Sequence, residues 1–370
     1  MKIVFICGSL EPGRDGVGDY TRRLAGELIH QGFETALLAL HDFSASEITA
    51  EFQESETNKI PVVRIPDCAK AKIRFEKAQK FIADFNPDWI SLQYVPFSFQ
   101  KKGLPFGLGG RLAKIGQGRK WHIMFHELWV GMDKESPFKY KVWGSLQQHI
   151  VREVIKKTAV SKIHTQSRLY QFQLEKIGCK AMYLPLFGNI EVVQHENFSR
   201  AEAKDVLNFI FFGTIHPNAP VKEFAAELSK YSIENKLKIK LNFIGRCGGE
   251  LDYWETVCND QNIDLEILGE QDASAISKVL QNADWGVSTT PWRQIEKSGT
   301  VAAMLEHGLN VICVARPWTP DKKVPLIALD GISEYKENQL AEMLSFSKSN
   351  NSKVVLKKIA DSFIEALDYK

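Results

Sequence analysis

The stretch "STTPWRQIEKSGTVAAMLEHGLNVICVA" (Ser288–Ala315) reads as strand end, loop, helix and strand. The apolar run "WGVSTT" (285–290) ends in hydroxyls. A helix opens at Ser298-Gly299-Thr300 and closes at Gly308, a residue suited to a helix C-cap, before the apolar run "NVICVA" (310–315). Such a unit implies parallel strands with a helix over one face. Ligands of open parallel sheets bind beyond the strand C-termini, where the first amides of the next helix have no intrahelical partner. The amides of Ser298, Gly299 and Thr300 are therefore candidates to hold an anion, with Gly299 allowing close approach and Thr300 adding a hydroxyl. Glu296 just before them is either a carboxylate for sugar hydroxyls or a helix-start acid facing the macrodipole.

The same alternation extends outward from this stretch. Upstream stand "FIFFGT" (209–214), a helix over 221–235, "KLNFIGR" (240–246), a helix over 250–261, "LEILGE" (265–270) and a helix over 273–281. Before them "YLPLFGNI" (183–190) reads as an extended connector carrying Pro and Gly. A separate set precedes it: "KIVFIC" (2–7), a helix from about Asp19 to Gln31, "ETALLAL" (34–40), "PVVRI", "DWISLQY" (88–94), "WHIMFH" (121–126), a long helix over 139–157, "TAVSKI" (158–163) and a helix over 167–177. The tail "SKVVLKKIADSFIEALDY" (352–369) has apolar residues at helical spacing. The fold class is α/β, with two successive Rossmann-like halves. The chain's 370 residues suffice for two cores, since single cores stop growing near about 250–300 residues.

Composition narrows the function classes. Net charge is +2, so no global field calls for nucleic acid. No apolar stretch reaches the roughly 18 residues of a membrane span, and the N-terminus lacks a signal peptide's cleavage pattern. Six scattered cysteines without a CxxC argue against a zinc site and suit a reducing cytoplasm. Residues 101–165 carry 13 Lys/Arg against four acids. That bias is either a solvated helical face or a surface for anionic lipid headgroups or a phosphorylated acceptor; the protein is expected in the cytoplasm, with peripheral contact at the inner membrane face.

The glycine-rich loop "GSLEPGRDGVGDY" (8–20) raises the dinucleotide alternative. Gly16 and Gly18 supply two glycines of G-x-G-x-x-G, but Thr21 stands where the third belongs and the loop is too long. Asp42 follows the second strand and could imitate a ribose-binding acid. An ordinary strand–helix turn is a further reading. The third is a loop whose backbone approaches a ligand, with an anion or hydroxyl at the helix start near Gly18-Asp19.

These segments, in this order, make the chain resemble a GT-B glycosyltransferase of the retaining family-4 type. The resemblance covers nearly the whole chain. It runs through "GVGDYTRRLAGELIHQGFE", "PDWISLQY", "FHELW", "LPLFGN", "FFGTIHPNAPVKEF", "FIGR", "LEILGE" and "EKSGTVAAMLEHGLNVI". It implies two Rossmann-like domains facing across a crevice: 1–187 for the acceptor, 188–350 for the nucleotide-sugar, and a helix in 351–370 crossing back to the first. There are departures. The family's E-x7-E begins at Glu296, but Met304 stands in place of its second Glu, which would bind the ribose, and Glu306 lies half a turn further round. Gly213 is followed by Thr214 where relatives have Arg, which leaves Lys222 or Arg246 as the replacement cation.

The resemblance also implies roles. A departing nucleoside diphosphate gains negative charge, and fixed amides and cations lower that barrier. Lys222, Arg246 and the amides of Ser298–Thr300 fit that task; otherwise Lys222 is an exposed helix lysine and Arg246 a surface arginine beside a turn. His126 would contact the donor sugar near C6, or be a core histidine, and Glu127 beside it could serve the acceptor. Leu268, Gly269 and Glu270 would hold base and ribose. Thr214 and His216 are further candidates, and Gly16 and Gly18 would lie near the diphosphate. The expected activity is metal-independent transfer of a hexose from a UDP- or GDP-sugar to a saccharide or lipid-linked acceptor with retention, in surface polysaccharide or glycoconjugate synthesis. No cofactor is expected, the nucleotide-sugar being a substrate. The alternatives are a nucleotide-sugar-binding protein without turnover and a sugar-nucleotide epimerase.

Overall fold

The computed structural model describes residues 1–55, 57–193, 205–321, 324, 329–345 and 356–368. The chain divides into two compact units. One comprises Met1–Pro185, Thr319–Val324 and Val355–Lys370; the other comprises Leu186–Trp318 and Pro325–Val354. The boundary expected at 350/351 lies outside the described residues.

The first unit runs β1 (Lys2–Cys7), α1 (Gly16–His30), β2 (Glu34–Asp42), β3 (Thr49–Ser55), β4 (Asn58–Pro66), α2 (Ala71–Phe85), β5 (Trp89–Tyr94), α3 (Pro96–Phe99), α4 (Leu108–Gly116), β6 (Lys120–Phe125), α5 (Phe138–Thr158), β7 (Lys162–Thr165), α6 (Arg168–Lys176) and β8 (Met182–Tyr183). Its sheet order is β3-β4-β2-β1-β5-β6-β7-β8, parallel throughout except for the β3–β4 hairpin. All of β5 and five residues of β1 are buried, as strands covered on both faces must be. The strand order reverses between β1 and β5, the place where such sheets open a crevice.

The second unit runs β9 (Val206–Phe212), α7 (Val221–Asn235), β10 (Lys238–Ile244), α8 (Leu251–Asp260), β11 (Asp264–Gly269), α9 (Ala273–Asn282), β12 (Trp285–Ser288), a 3-10 turn (Trp292–Lys297), α10 (Gly299–Glu306), β13 (Asn310–Cys313), β14 (Ile332–Glu334) and α11 (Leu340–Ser345). Its order, β11-β10-β9-β12-β13-β14, is wholly parallel and reverses between β9 and β12. One face packs around Trp254, fully buried and edge-on to Phe211 at 4.5 Å, while Phe211 stacks on Phe243 at 4.9 Å. Each such ring contributes about 2–3 kcal/mol by burial.

The chain ends in α12 (Leu356–Asp368), which belongs to the first unit. Its apolar stripe includes Ile359, Phe363 and Leu367, and Phe363 stacks on Phe5 at 5.9 Å. Residues 319–321 also join that unit. Pro320 bridges Asp133, Lys134 N donates to Thr319 O at 2.9 Å and Asp321 N donates to Met132 O at 2.8 Å.

Three local readings need correction. The strand expected over 158–163 starts only at Lys162, because α5 runs to Thr158 and Ala159 caps it in the left-handed region at φ 47°. The helix expected from Asp19 starts at Gly16, because the Asp15 carboxylate caps it. The polar stretch 49–55 forms an exposed edge strand, held by pairing with β4 rather than by apolar periodicity. Among the described residues no helix is long and apolar enough to cross a membrane.

Candidate functional site

In the second unit, three adjacent strands end on glycines: Gly213 after β9, Gly245 after β10 and Gly269 closing β11. They form a backbone ledge. Gly213 N donates to Ile244 O at 2.9 Å, and Gly245 N donates to Gly269 O at 2.7 Å. At Gly213 the requirement is double: φ is +82°, and a Cβ there would stand 2.9 Å from Thr300 Cγ2. Only glycine brings β9 this close to the first turn of α10.

Ser298 caps α10, its hydroxyl accepting from Val301 N at 3.4 Å and lying 3.1 Å from Thr300 Oγ1. Thr290 Oγ1, at the end of β12, donates to the same hydroxyl at 3.4 Å. The amides of Gly299 and Thr300 have no hydrogen-bond partner among the described residues. They are the helix's orphan donors, at the carboxyl end of the sheet beside its reversal point. Glu296, partly exposed, lies near the end of the 3-10 turn and outside α10.

Positive charge gathers here. His216 is fixed through its backbone, N to Thr289 Oγ1 at 2.7 Å. Its pKa is lowered, first by desolvation and then by the charges of Lys297 and Arg316. Those two cations were not legible in the sequence. Lys297 comes from the 3-10 turn and Arg316 from the segment after β13, and only the fold brings both near His216. Thr214 is exposed on the same loop as His216. Lys222 is exposed on the first turn of α7 and has no ion pair among the described residues. Arg246 is exposed too, its Nε 3.8 Å from Glu270 Oε2. The expected cation and an expected nucleoside contact thus face each other across neighbouring strand ends. Leu268 O accepts from Gln271 Nε2 at 2.7 Å and Gly269 O from Gly245 N, so both carbonyls are already engaged.

The position of the absent second Glu is also settled locally. Met304 is fully buried, and a Cβ on Gly286 of β12 would lie 2.6 Å from its Sδ. That helix position faces the sheet. Glu306 is buried as well, its Oε1 accepting from Gly188 N at 3.0 Å, and so ties the connector to α10. Next in the connector, Asn189 Oδ1 is buried without a partner among the described residues and faces Gly299. An acceptor without a partner among the described residues thus lies beside the orphan amides at this end of α10. Asn189 was quoted in "LPLFGN" but gave no chemical signal there.

In the first unit the glycine loop is pinned. Asp42 is fully buried and accepts from Ser9 Oγ at 2.9 Å, Leu10 N at 3.1 Å, Ser44 N at 2.9 Å and Arg64 Nε at 2.8 Å. It has no capacity left for a ribose, and the dinucleotide reading falls with it. Arg64 also pairs with Glu11. Of the phosphate contacts expected at Gly16 and Gly18, the second meets an occupant: Asp15 Oδ1 accepts from Val17 N and Gly18 N, both at 2.9 Å. Gly18 serves packing instead, since a Cβ there would lie 2.8 Å from Ser9 O.

His126, just past β6, is 4% exposed and packs edge-on against Tyr20 at 4.9 Å. Desolvation pushes its pKa down to about 3, so the ring is neutral. It heads a buried polar chain. His126 Nε2 donates to Gln93 Oε1 at 2.8 Å and Gln93 Nε2 to Ser91 Oγ at 2.7 Å. Ser91 Oγ then donates to His122 Nδ1 at 2.7 Å, and His122 Nε2 to His164 Nδ1 at 2.9 Å. This fixes the tautomer of His126, leaving Nδ1 as an acceptor. Glu127 is partly exposed, its amide donating to Tyr94 O at 3.4 Å. Among the described residues no cluster of His, Cys, Asp or Glu could hold a metal ion.

No protein-family model matches the sequence, and no curated protein matches it. Solved structures do. The chain is similar to Anabaena Alr3699/HepE in complex with UDP and glucose, at 14% identity and TM-score 0.57, over 99% of each chain. It is similar to the pneumococcal O-GlcNAc transferase GtfA in complex with UDP and GlcNAc, at 10% identity and TM-score 0.54, over 99% of this chain and 97% of that one. A glycosyltransferase from Rickettsia africae matches at 13% identity and TM-score 0.53, over 99% and 93%. At such identities the likeness shows the fold: the chain has the GT-B fold.

Proposed function

We propose that the protein is a glycosyltransferase that takes a nucleoside-diphosphate sugar, with UDP or GDP as carrier, and moves its hexose to a saccharide or lipid-linked acceptor. One observation carries this reading. The orphan amides of Gly299 and Thr300 sit against a glycine ledge, with Lys297, His216 and Arg316 nearby. Two proteins of the same fold were solved with UDP and a sugar.

The roles follow from charge. The diphosphate gains negative charge as it leaves, and preoriented amides and cations stabilise that charge without reorganising. Gly299, Thr300 and Lys297 take this task, with Lys222 and Arg316 as the flanking cations and Arg246 held partly by Glu270. Glu296 and Asn189 bind sugar hydroxyls. Leu268–Glu270 border the nucleoside. His126 offers a neutral acceptor to the sugar, and Glu127 serves the acceptor substrate. Retention follows if the acceptor hydroxyl attacks from the face the diphosphate leaves, with a leaving oxygen taking its proton. No protein base is then required, and no metal enters. The product belongs to surface polysaccharide or glycoconjugate synthesis, made in the cytoplasm with peripheral contact at an anionic membrane.

A second reading has its own support: Met304 removes the family's ribose acid, which suits a binder without turnover. The test is a thermal-shift screen against UDP, GDP, ADP and their sugars, since a ligand stabilises by mass action. One nucleotide class should raise the melting temperature, and Lys297→Ala and Arg316→Ala should each abolish most of that rise. No response to any nucleotide sinks the donor assignment. Response without consumption of the nucleotide-sugar favours the binder.

A further inference from the structure

The first unit holds a cavity of about 210 Å³ that the nucleotide chemistry does not use. It lies beside Leu40, near the carboxyl end of β2, against α2 and the segment that links β5 to α4. Ligands of parallel sheets gather on this side. Most of its wall is apolar: Phe75, Phe99, Leu104, Phe106 and Leu108. Two arginines, Arg74 and Arg111, share that wall.

Neither arginine has a carboxylate within ion-pair distance among the described residues. Arg74 makes one long contact, Nη1 to Leu40 O at 3.4 Å, while its Nε is buried without a partner. Arg111 lies over the Phe75 ring, 5.7 Å from its centroid. The pKa of Arg74 is lowered, by desolvation first and by Arg111 second, with Asp67 opposing. Asp67 is engaged by Lys101 at 4.0 Å. Two adjacent guanidiniums without a carboxylate partner among the described residues, one with a buried orphan donor, are an arrangement that an anion completes.

The shape constrains that anion. Pockets for drug-sized ligands occupy about 300–1,000 Å³, so this one is too small for a nucleotide-sugar. It fits a headgroup and the first carbons behind it. Phe106 of the wall is itself 53% exposed, and the segments that supply the wall also carry the exposed Ile73 and Phe97 and the lysines Lys101 and Lys102. Exposed aromatics mixed with lysine suit an apolar chain leaving the pocket. Arginine forks match phosphate in particular, and two of them match a dianion.

We propose that this cavity binds a phosphate monoester carried on an apolar chain, and that this is how the protein holds its acceptor. The second clause rests on the transferase reading; the binding itself does not. Two sources share the chemistry, an amphiphilic phosphate free in solution and a lipid headgroup in a membrane.

The test uses the full chain and calorimetry. Octyl phosphate, inorganic phosphate and octanol are titrated separately, each below micelle formation. Octyl phosphate should bind at least about tenfold more tightly than either half of itself, the scale expected of hydrogen bonds to charged groups plus apolar burial. Arg74→Met and Arg111→Gln should each lose about tenfold or more while keeping the wild-type melting temperature. If Arg74→Met fails to fold, the exposed Arg111→Gln still decides. Flotation with phosphatidylcholine vesicles, with and without phosphatidic acid, separates the sources. Arginine-dependent flotation assigns the membrane lipid, and calorimetric binding without flotation assigns the soluble ester. Equal affinity for inorganic phosphate, or binding indifferent to both arginines, overturns the proposal. Octyl phosphate binding in a protein that ignores every nucleotide would overturn only the transferase reading.

Discussion

His126, His122 and His164 are three imidazoles that the fold keeps neutral. Desolvation is the first cause in each case, and the values fall to about 3 for His126, well below the usual range for His122 and to about 4 for His164. The sign follows from linkage. Folded pKa values below the unfolded value of 6.5 mean that the unfolded chain binds more protons in acid. Stability is therefore fully present above about pH 6.5 and falls as pH drops toward 4, by up to about 4 kcal/mol per pH unit when all three differ. Urea unfolding between pH 7.5 and 5 should show this steep loss, and a flat midpoint would refute it. Asp42 makes a second prediction. Asp42→Ala strips Arg64 of a buried partner and the loop of three hydrogen bonds, and should cost about 3–5 kcal/mol in the same assay. His216 makes a third. A diphosphate beside it would raise its lowered pKa, so nucleotide affinity should gain at acid pH relative to His216→Asn, read as the ratio of the two Kd values from pH 8 to 6. Of these residues the sequence exposed His126, as the end of an apolar run. It could not show Gln93, its partner 33 positions away on a neighbouring strand.

At the scale of elements, β9 and α10 depend on one another. Gly213→Ala would force a side chain into the left-handed region and against Thr300, at about 1–2 kcal/mol of backbone strain. The expected outcome is a modest fall in melting temperature with a loss of nucleotide affinity of about tenfold or more, because the orphan amides move with Thr300. Gly18→Ala should do the reverse, destabilising by about 1–3 kcal/mol through Ser9 O without altering nucleotide affinity. The helix α10 was legible because Gly299 and Gly308 bracket an apolar run. The Ser298 amide, expected from the sequence to hold an anion, instead donates to Ile295 O at 3.0 Å, and the residue caps the helix through its side chain. What stayed hidden was which way residue 304 points, since that depends on Gly286 in the strand beneath. Edge strand β3 was hidden for a different reason: its residues are polar and exposed, and only the backbone pairing with β4 makes them a strand.

The described residues form two sheets, the second wholly parallel and the first parallel but for its β3–β4 hairpin, each reversing its strand order once. That much was legible from alternation alone, because strands buried on both faces must be continuously apolar and the crossovers between them must be helical. The assignment of residues 319–321 to the first unit was not, since a single antiparallel bridge at Asp133 carries no periodicity. The candidate site was half legible: Glu296, Ser298, Gly299 and Thr300 stand out in one stretch, whereas Lys297 between them, Arg316 and Asn189 acquire meaning only from the fold. The cavity with Arg74 and Arg111 draws on three separate segments and had no linear signature.

The central claim is that the ledge and the first turn of α10 hold a donor nucleoside diphosphate. Hydrogen–deuterium exchange with and without saturating UDP or GDP tests it most directly. One nucleotide should slow exchange at 213–216 and 298–302 and leave 9–18 unchanged, because Asp15 and Asp42 already engage the amides of Leu10, Val17 and Gly18. Slowed exchange confined to 9–18, or none with either nucleotide, would contradict the account.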